Sequence, residues 1–466
     1  MTSTTRPRIG IVGGGPGGLM TAYFLESQVN RPIELTILEA SNRLGGKIVT
    51  PRFSVASARY EAGAAEFYDY SVVDEDPLKH LIQDLGLSIS PMGGQAVYWR
   101  GQFVANLDDC ERVLGPAPRK TWEEFHERAR NLISPVEFFE HGGEESLDMG
   151  RTGETLEYEL QHITQAEIRQ YLGTMIHSDL ATEPSTTSVS YGLQNYLMND
   201  PAYMQLYGID GGNEQLPQSL AARIAAQIRL GLSVHSIRCH PTGSWLVETL
   251  NSDDQTTTHS FDSVIIALPL DALQRLRFEG NQLAAAIQSH LDHYNHPAHY
   301  LRITIAFERP FWRGILAESY CQLETFGGCC LYDESSRWPD SQCGILGWLL
   351  SGEAASKHAS LDDNELIQLA LDSLPSPLKA GRQWFLEGRV HRWLNAVNAV
   401  PGGWQTRPLD LRHQPEPLQH PRLFIVGDYL FDSTLNGVLD SADYVADWLA
   451  AEINATPNWP REGEKA

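Results

Sequence analysis

Apolar and polar positions alternate along this chain in a way that separates short buried strands from longer mixed stretches. Arg8-Ile-Gly-Ile-Val12 is a short apolar run that predicts a buried strand. The turn Gly13-x-Gly15-x-x-Gly18 leads from it into a helix, and the apolar run at residues 33–38 predicts a second parallel strand ending at Glu39. Residues 233–237, 261–267 and 423–427 read as further strands, with Gly437 opening a last helix. Residues 300–307 and 342–350 also read as strands, whereas 121–146 and 154–173 are rich in helix formers and charge. Pro401-Gly402-Gly403 marks a turn between domains.

The first βαβ unit carries chemistry. Gly13 permits the tight turn, Gly15 lets backbone approach a pyrophosphate, and Gly18 lets the helix pack on the strand. The helix N-terminus supplies partial positive charge to phosphates, and Glu39, 21 residues after Gly18, is placed to accept ribose hydroxyls. Together these features point to a bound dinucleotide.

The segment Glu39-Ala-Ser-Asn-Arg43-Leu-Gly45-Gly46-Lys47 resembles the acid, arginine and double-glycine signature of the flavin-containing amine oxidase superfamily. That resemblance implies FAD in place of NAD. In physical terms, Gly45 and Gly46 allow a second backbone approach, and Arg43 offers a cationic fork near the pyrophosphate. Tyr60-Glu61-Ala62-Gly63-Ala64 is similar to the family's segment beside the flavin, which assigns Gly63 and Ala64 to the cofactor. Val234 falls where relatives meet the adenine through backbone. Gly427-Asp428 and Gly437-Val438 resemble the closing motif, in which the acid binds the ribityl-pyrophosphate region and a helix N-terminus faces the flavin pyrimidine. Asp428 replaces a more usual glutamate, and Ser441 stands where glycine is common. No cysteine before Pro401 matches the family's covalent attachment point, so the resemblance implies noncovalent FAD.

The expected fold is therefore α/β: a discontinuous Rossmann-like FAD-binding domain (1–60, 205–280 and 405–455) with an α+β substrate domain of mixed sheet plus helices (61–204 and 281–404). Residues 456–466 form a polar tail.

Composition narrows the partners. With 466 residues and 42% hydrophobic content, the chain can bury a substantial core. A net charge of -24 opposes binding to nucleic acid or an anionic membrane surface. Six cysteines with no Cys-x-x-Cys pair, no membrane-length apolar run and a polar start suggest a cytoplasmic protein with free thiols. Homodimerisation is left open. His290, His293, His296 and His299 recur every third residue, a spacing that walks around a helix axis and is interrupted by Pro297, so no metal site is expected there.

On the substrate side, the resemblance assigns catalytic positions that this chain fills differently. Counting back from Pro310-Phe311-Trp312, Arg302 stands where relatives carry a lysine on the flavin N5 side; the alternative is a strand-end arginine paired with a surface carboxylate. Trp393 resembles a tryptophan stacked near the flavin ring, against the alternative of a core Trp. Val438 and residues 398–400 stand where monoamine oxidases place two aromatic rings. Glu66 stands where L-amino-acid oxidases carry an arginine for the substrate carboxylate; a carboxylate there welcomes an ammonium, unless Glu66 is paired with an arginine such as Arg59. The expected reaction is hydride removal from a carbon bearing nitrogen of a small amine, with O2 as acceptor, giving imine and H2O2. L-amino-acid oxidation, and desaturation or isomerisation of an apolar substrate, are the alternatives. A flavin-binding scaffold without turnover is a fourth.

Overall fold

Strand Arg8–Val12 lies at the middle of a five-stranded sheet, which explains its unbroken apolar character. Its neighbours are Ser263–Ile266 and Glu34–Leu38, and the sheet is completed by Leu423–Ile425 and Gln227–Arg229, all paired in parallel. The computed structural model describes residues 6–55, 58–72, 74–94, 96–140, 154–338, 342–431, 433–456 and 459. The part of the expected helix beyond residue 140, and the tail apart from 456 and 459, lie outside the described residues.

The chain divides into two compact units, Met1–Ile48 with Glu214–Asn295 and Thr406–Ala466, and Val49–Asn213 with His296–Gln405. Residues 49–60 and 205–213 thus group with the second unit, and 281–295 with the first. In the first unit, helix Pro16–Gln28 starts on proline, which suits a position whose N–H has no helical partner. It packs against the last helix, Leu435–Ala455. Gly18 makes the helix start fit, because a Cβ there would lie 2.1 Å from the Gly13 carbonyl oxygen. A second sheet of four strands includes Ser233–Cys239.

Helix Asn281–Tyr294 carries His290 and His293, while His299 belongs to a strand of the second unit. Among the described residues no group of three or more His, Cys, Asp or Glu is placed to hold a metal ion. His290 is fully buried, and neither ring nitrogen has a hydrogen-bond partner. It packs on Tyr294 at 4.7 Å between ring centroids. Burial, with Arg407, His293 and His413 nearby, lowers its pKa to about 3.

The second unit is built on a seven-stranded mixed sheet ordered Phe385–Asn398, Pro297–Phe307, Gly344–Ser351, Cys329–Asp333, Tyr320–Leu323, Val97–Trp99, Gln102–Val104. A three-stranded sheet (Phe67–Asp69, Gln205–Ile209, Ile89–Met92) and helices such as Ala166–Leu180 and Val189–Leu197 complete it. Within the large sheet, Arg302 pairs in register with Leu349 and His391 and is 1% exposed. Its Nη2 donates to Glu334 Oε1, which is equally buried, so the surface-carboxylate alternative does not hold. Its guanidinium also sits 5.1 Å from the Tyr332 ring centroid. Gly347 makes room for the pair, since a Cβ there would lie 2.5 Å from Glu334 Oε1. Glu334 Oε2 accepts the backbone N–H of Glu61 at 2.9 Å. The Glu61 carboxylate in turn accepts from Asn213 N and Thr50 Oγ1, and Arg337 Nη1 lies 3.6 Å away. Burial pushes Glu61 up to about 7, against the opposing pull of Arg337 and these hydrogen bonds.

Two stability predictions follow from these buried groups. A histidine held neutral in the fold costs nothing above its unfolded pKa of about 6.5, and its stabilisation of the fold is lost as pH falls from there toward 3. His290→Phe should therefore lower the acid-unfolding midpoint while leaving stability at pH 8 nearly unchanged; an equal gain at both pH values would show that packing, not protonation, is responsible. Glu334→Gln leaves a buried guanidinium without its counter-charge and should cost about 3–5 kcal/mol, seen as lost amide protection in strand Pro297–Phe307. Pairing Arg302→Met with Glu334→Leu should recover most of that protection.

Candidate cofactor and substrate site

The first candidate region is built from two glycine turns that meet. Gly13 is held at φ +109° by the turn out of the first strand, and its N–H donates to the Leu38 carbonyl at 2.9 Å. Gly15 caps helix Pro16–Gln28 with extended backbone, no side-chain capping bond and no acid in the first turn. Donors at this helix start therefore lack side-chain acceptors. A Cβ on Gly15 would meet only Gly46 Cα, at 3.8 Å, so the protein's own packing does not demand glycine there. Uncapped donors beside an open face are the arrangement that suits a phosphate. The residues present fit the pyrophosphate of a dinucleotide.

Around this turn the acids are already engaged. Glu39 accepts Gly14 N and Ser41 N, each at 2.8 Å, and each oxygen keeps a further lone pair for a hydroxyl. Arg43 directs its fork at its own loop, donating to the Leu44 and Gly46 carbonyls at 3.2 and 2.7 Å. Gly45 and Gly46 have positive φ, and Gly45 N donates to Gly14 O at 2.9 Å, which ties the two turns together. Val234 is half-buried opposite Thr249 in its sheet. Asp428 is buried and pairs with Lys47 Nζ at 3.0 Å. Ser441, in the position where glycine was the expectation, accepts Gly427 N at 3.1 Å through its hydroxyl. The last helix begins at Leu435, two residues before Gly437, and the Gly437 N–H is capped by Thr434 Oγ1 at 3.1 Å. Val438 faces Gly17 from that helix.

The second candidate region lies wholly within the second unit. The Ala64 carbonyl, next to Gly63, accepts Asn213 Nδ2 at 2.9 Å. Trp393 is half-buried and donates its indole N–H to the Ala62 carbonyl at 2.6 Å, so it is tethered to the same segment and is not a core residue. Glu66 accepts from Tyr332 Oη at 3.0 Å through Oε1, whereas Oε2 is buried with no hydrogen-bond partner. Its partner is thus a tyrosine, not Arg59. Glu66 lines a narrow cavity together with Asp179, Tyr68, Tyr320, Tyr332 and Cys330, with room for about one water-sized group. None of the described lining residues is Lys, Arg or His. Burial, and secondly Glu66, push the Asp179 carboxyl up to about 7. Burial likewise holds the Tyr68, Tyr320 and Tyr332 phenols and the Cys330 thiol far above their ordinary values, so all four stay neutral. Asp179 had no distinguishing signal in the sequence, because an acid in the charged helix Ala166–Leu180 reads as solvent-facing. Tyr332 lies in the strand Cys329–Asp333, which is apolar and buried without alternation, and Glu334 opens the 3-10 turn that follows it, so neither carried a signal in the sequence.

Comparison with known proteins agrees with this architecture. Residues 16–449 match the model of the family described as flavin containing amine oxidoreductase. The chain is 23% identical over 308 residues to prenylcysteine oxidase 1-like from Bos taurus, covering 60% of each, so it spans less than two thirds of that relative. It is 23% identical over 483 residues to the L-amino-acid oxidase of Bothrops pauloensis, covering 95% of this chain and 90% of that one. Its fold is similar to putrescine oxidase bound to putrescine, with a TM-score of 0.70, 17% identity, and coverage of 97% and 100%. No helix among the described residues is long and apolar enough to cross a membrane. With the family model matched across most of its length, the chain belongs to the flavin-containing amine oxidoreductase family.

Proposed function

We propose that the protein binds FAD noncovalently and oxidises the carbon–nitrogen bond of a small amine, with O2 as electron acceptor and imine and H2O2 as products. The observation that carries this reading is the acidic character of the tyrosine-lined cavity: two carboxyl groups, Glu66 and Asp179, and no cationic side chain among its described lining residues. Such a site attracts an ammonium and repels a carboxylate. FAD supplies the hydride acceptor when bound. Gly13, Gly15 and Gly18 would hold its pyrophosphate, Glu39 its ribose, Gly45, Gly46 and Arg43 the second approach, and Val234 its adenine. Gly427, Asp428, Gly437 and Val438, with Gly63 and Ala64, would bound the remainder of the cofactor. Trp393 would wall the reacting carbon, and Arg302, its charge matched by Glu334, would stand on the flavin side. In this reading the first unit is the cofactor domain and the second presents the substrate. Free thiols at all six cysteines support a cytoplasmic location.

L-amino-acid oxidation is the second reading, favoured by the Bothrops relative. It needs a guanidinium free to grip a carboxylate, and Arg302 is committed to Glu334.

Gly15→Val should abolish the yellow colour and the FAD released by acid, while the variant keeps its circular dichroism; a variant that retains FAD would show that the phosphate lies elsewhere. Glu66→Gln should raise KM for amines by about 30-fold or more, roughly 2 kcal/mol, with FAD content unchanged. Mixing anaerobic enzyme with panels of amines and amino acids tests the whole reading, because only amines should bleach the flavin.

A further inference from the structure

Glu66 and Asp179 approach one cavity from different elements, Glu66 from the residue before strand Phe67–Asp69 and Asp179 from the last turn of helix Ala166–Leu180. The groups around them are neutral or already matched. Tyr68, Tyr191, Tyr300, Tyr320, Tyr332 and Cys330 surround the acids from the two sheets and from helix Val189–Leu197. Arg302 feels Glu66 but is bound to Glu334, and His177, on the Asp179 helix, is bound to Glu183 at 3.1 Å. Ser178 Oγ donates to Asp179 Oδ1 at 3.2 Å, and Glu66 Oε2 is left without a donor.

We propose that Asp179 is a specificity-determining residue: with Glu66 it forms a carboxyl pair that holds one proton while the cavity is empty, and an alkylammonium headgroup binds by displacing that proton. This rests on the amine reading and deepens it. Two like charges in a poorly hydrated cavity do not both ionise without a cation between them. The free space fits one water-sized group, which is the size of an ammonium head. The exchange balances, since one ammonium enters, one proton leaves to solvent, no covalent bond to carbon changes and the net charge of the cavity is conserved. A neutral molecule cannot drive the exchange, and a carboxylate adds to the charge that opposes it. Because Asp179 is held near 7, amine affinity should rise by about tenfold per pH unit below that value and level off above it.

The test is calorimetric titration of the flavin-loaded full chain with ammonium chloride, whose cation is water-sized, fits the free space and has no carbon to be oxidised. Titrations in two buffers of different ionisation heat count the protons released. Release should approach about one proton per site at pH 5.5 and fall toward zero by about pH 8.5. Asp179→Asn should bind with no proton release and with affinity flat across that range. Cation binding to the wild type without release, or release that persists in Asp179→Asn, overturns the proposal while leaving the amine reading in place. Should the variant fold poorly, difference infrared spectroscopy of the wild type decides: the carbonyl band of a protonated carboxyl must vanish on adding the cation, and its persistence overturns the proposal. If ammonium chloride does not bind, the amine reading itself fails and takes this proposal with it.

Discussion

Charge matched inside the second unit is the constraint on which its site depends. Arg302 and Glu334 are both 1% exposed, and neither could be ionised there without the other. Their pairing ties the middle of strand Pro297–Phe307, across the intervening strand Gly344–Ser351, to the 3-10 turn that follows Cys329–Asp333, and Glu334 then reaches the backbone of Glu61. Glu61 is anchored to Thr50 and Asn213, so the segment that carries Gly63, Ala64 and Glu66 is positioned by a chain of polar contacts that begins at a buried arginine. A buried pair of this kind adds little net stability; its value is to select one arrangement of the segments it joins.

The two candidate regions are complementary in what they leave unsatisfied. At the glycine turns, helix Pro16–Gln28 presents backbone donors with no side-chain cap. In the tyrosine-lined cavity, an acceptor oxygen of Glu66 has no donor. Folded chains rarely leave such groups idle, because each costs free energy unless something outside the chain completes it. Under the proposed reading an anion completes the first and a cation the second, as a phosphate-bearing cofactor and an ammonium-bearing substrate would.

The elements most legible in the sequence were those whose burial is complete on both faces. Strand Arg8–Val12 and strand Leu423–Ile425 sit in a parallel sheet, so their apolar runs and flanking glycines carry the signal locally. The glycine positions were equally readable, because Gly13 takes a positive φ in the turn and Gly18 is dictated by the Gly13 carbonyl within that same turn. What the sequence could not show was pairing across long separations. Arg302 was visible as a departure from a lysine, but its partner lies 32 residues away on another element. Asp179 and Tyr332 meet Glu66 only through the fold, and helix and strand periodicity mark each of them as unremarkable. The role of Ser441 also needed coordinates, since a hydroxyl replacing a glycine looks like a loss until it is found capping Gly427.

Cys330 shows what the acidic cavity does to a thiol in its wall. Its thiol is held protonated by burial and by the nearby Asp179 and Glu66 charges. Peroxide attacks thiolates and spares thiols, so the same acidic surroundings slow the oxidation of sulfur. Under the proposed oxidase reading, that protection would keep a cysteine in the cavity wall unchanged beside the peroxide the enzyme releases.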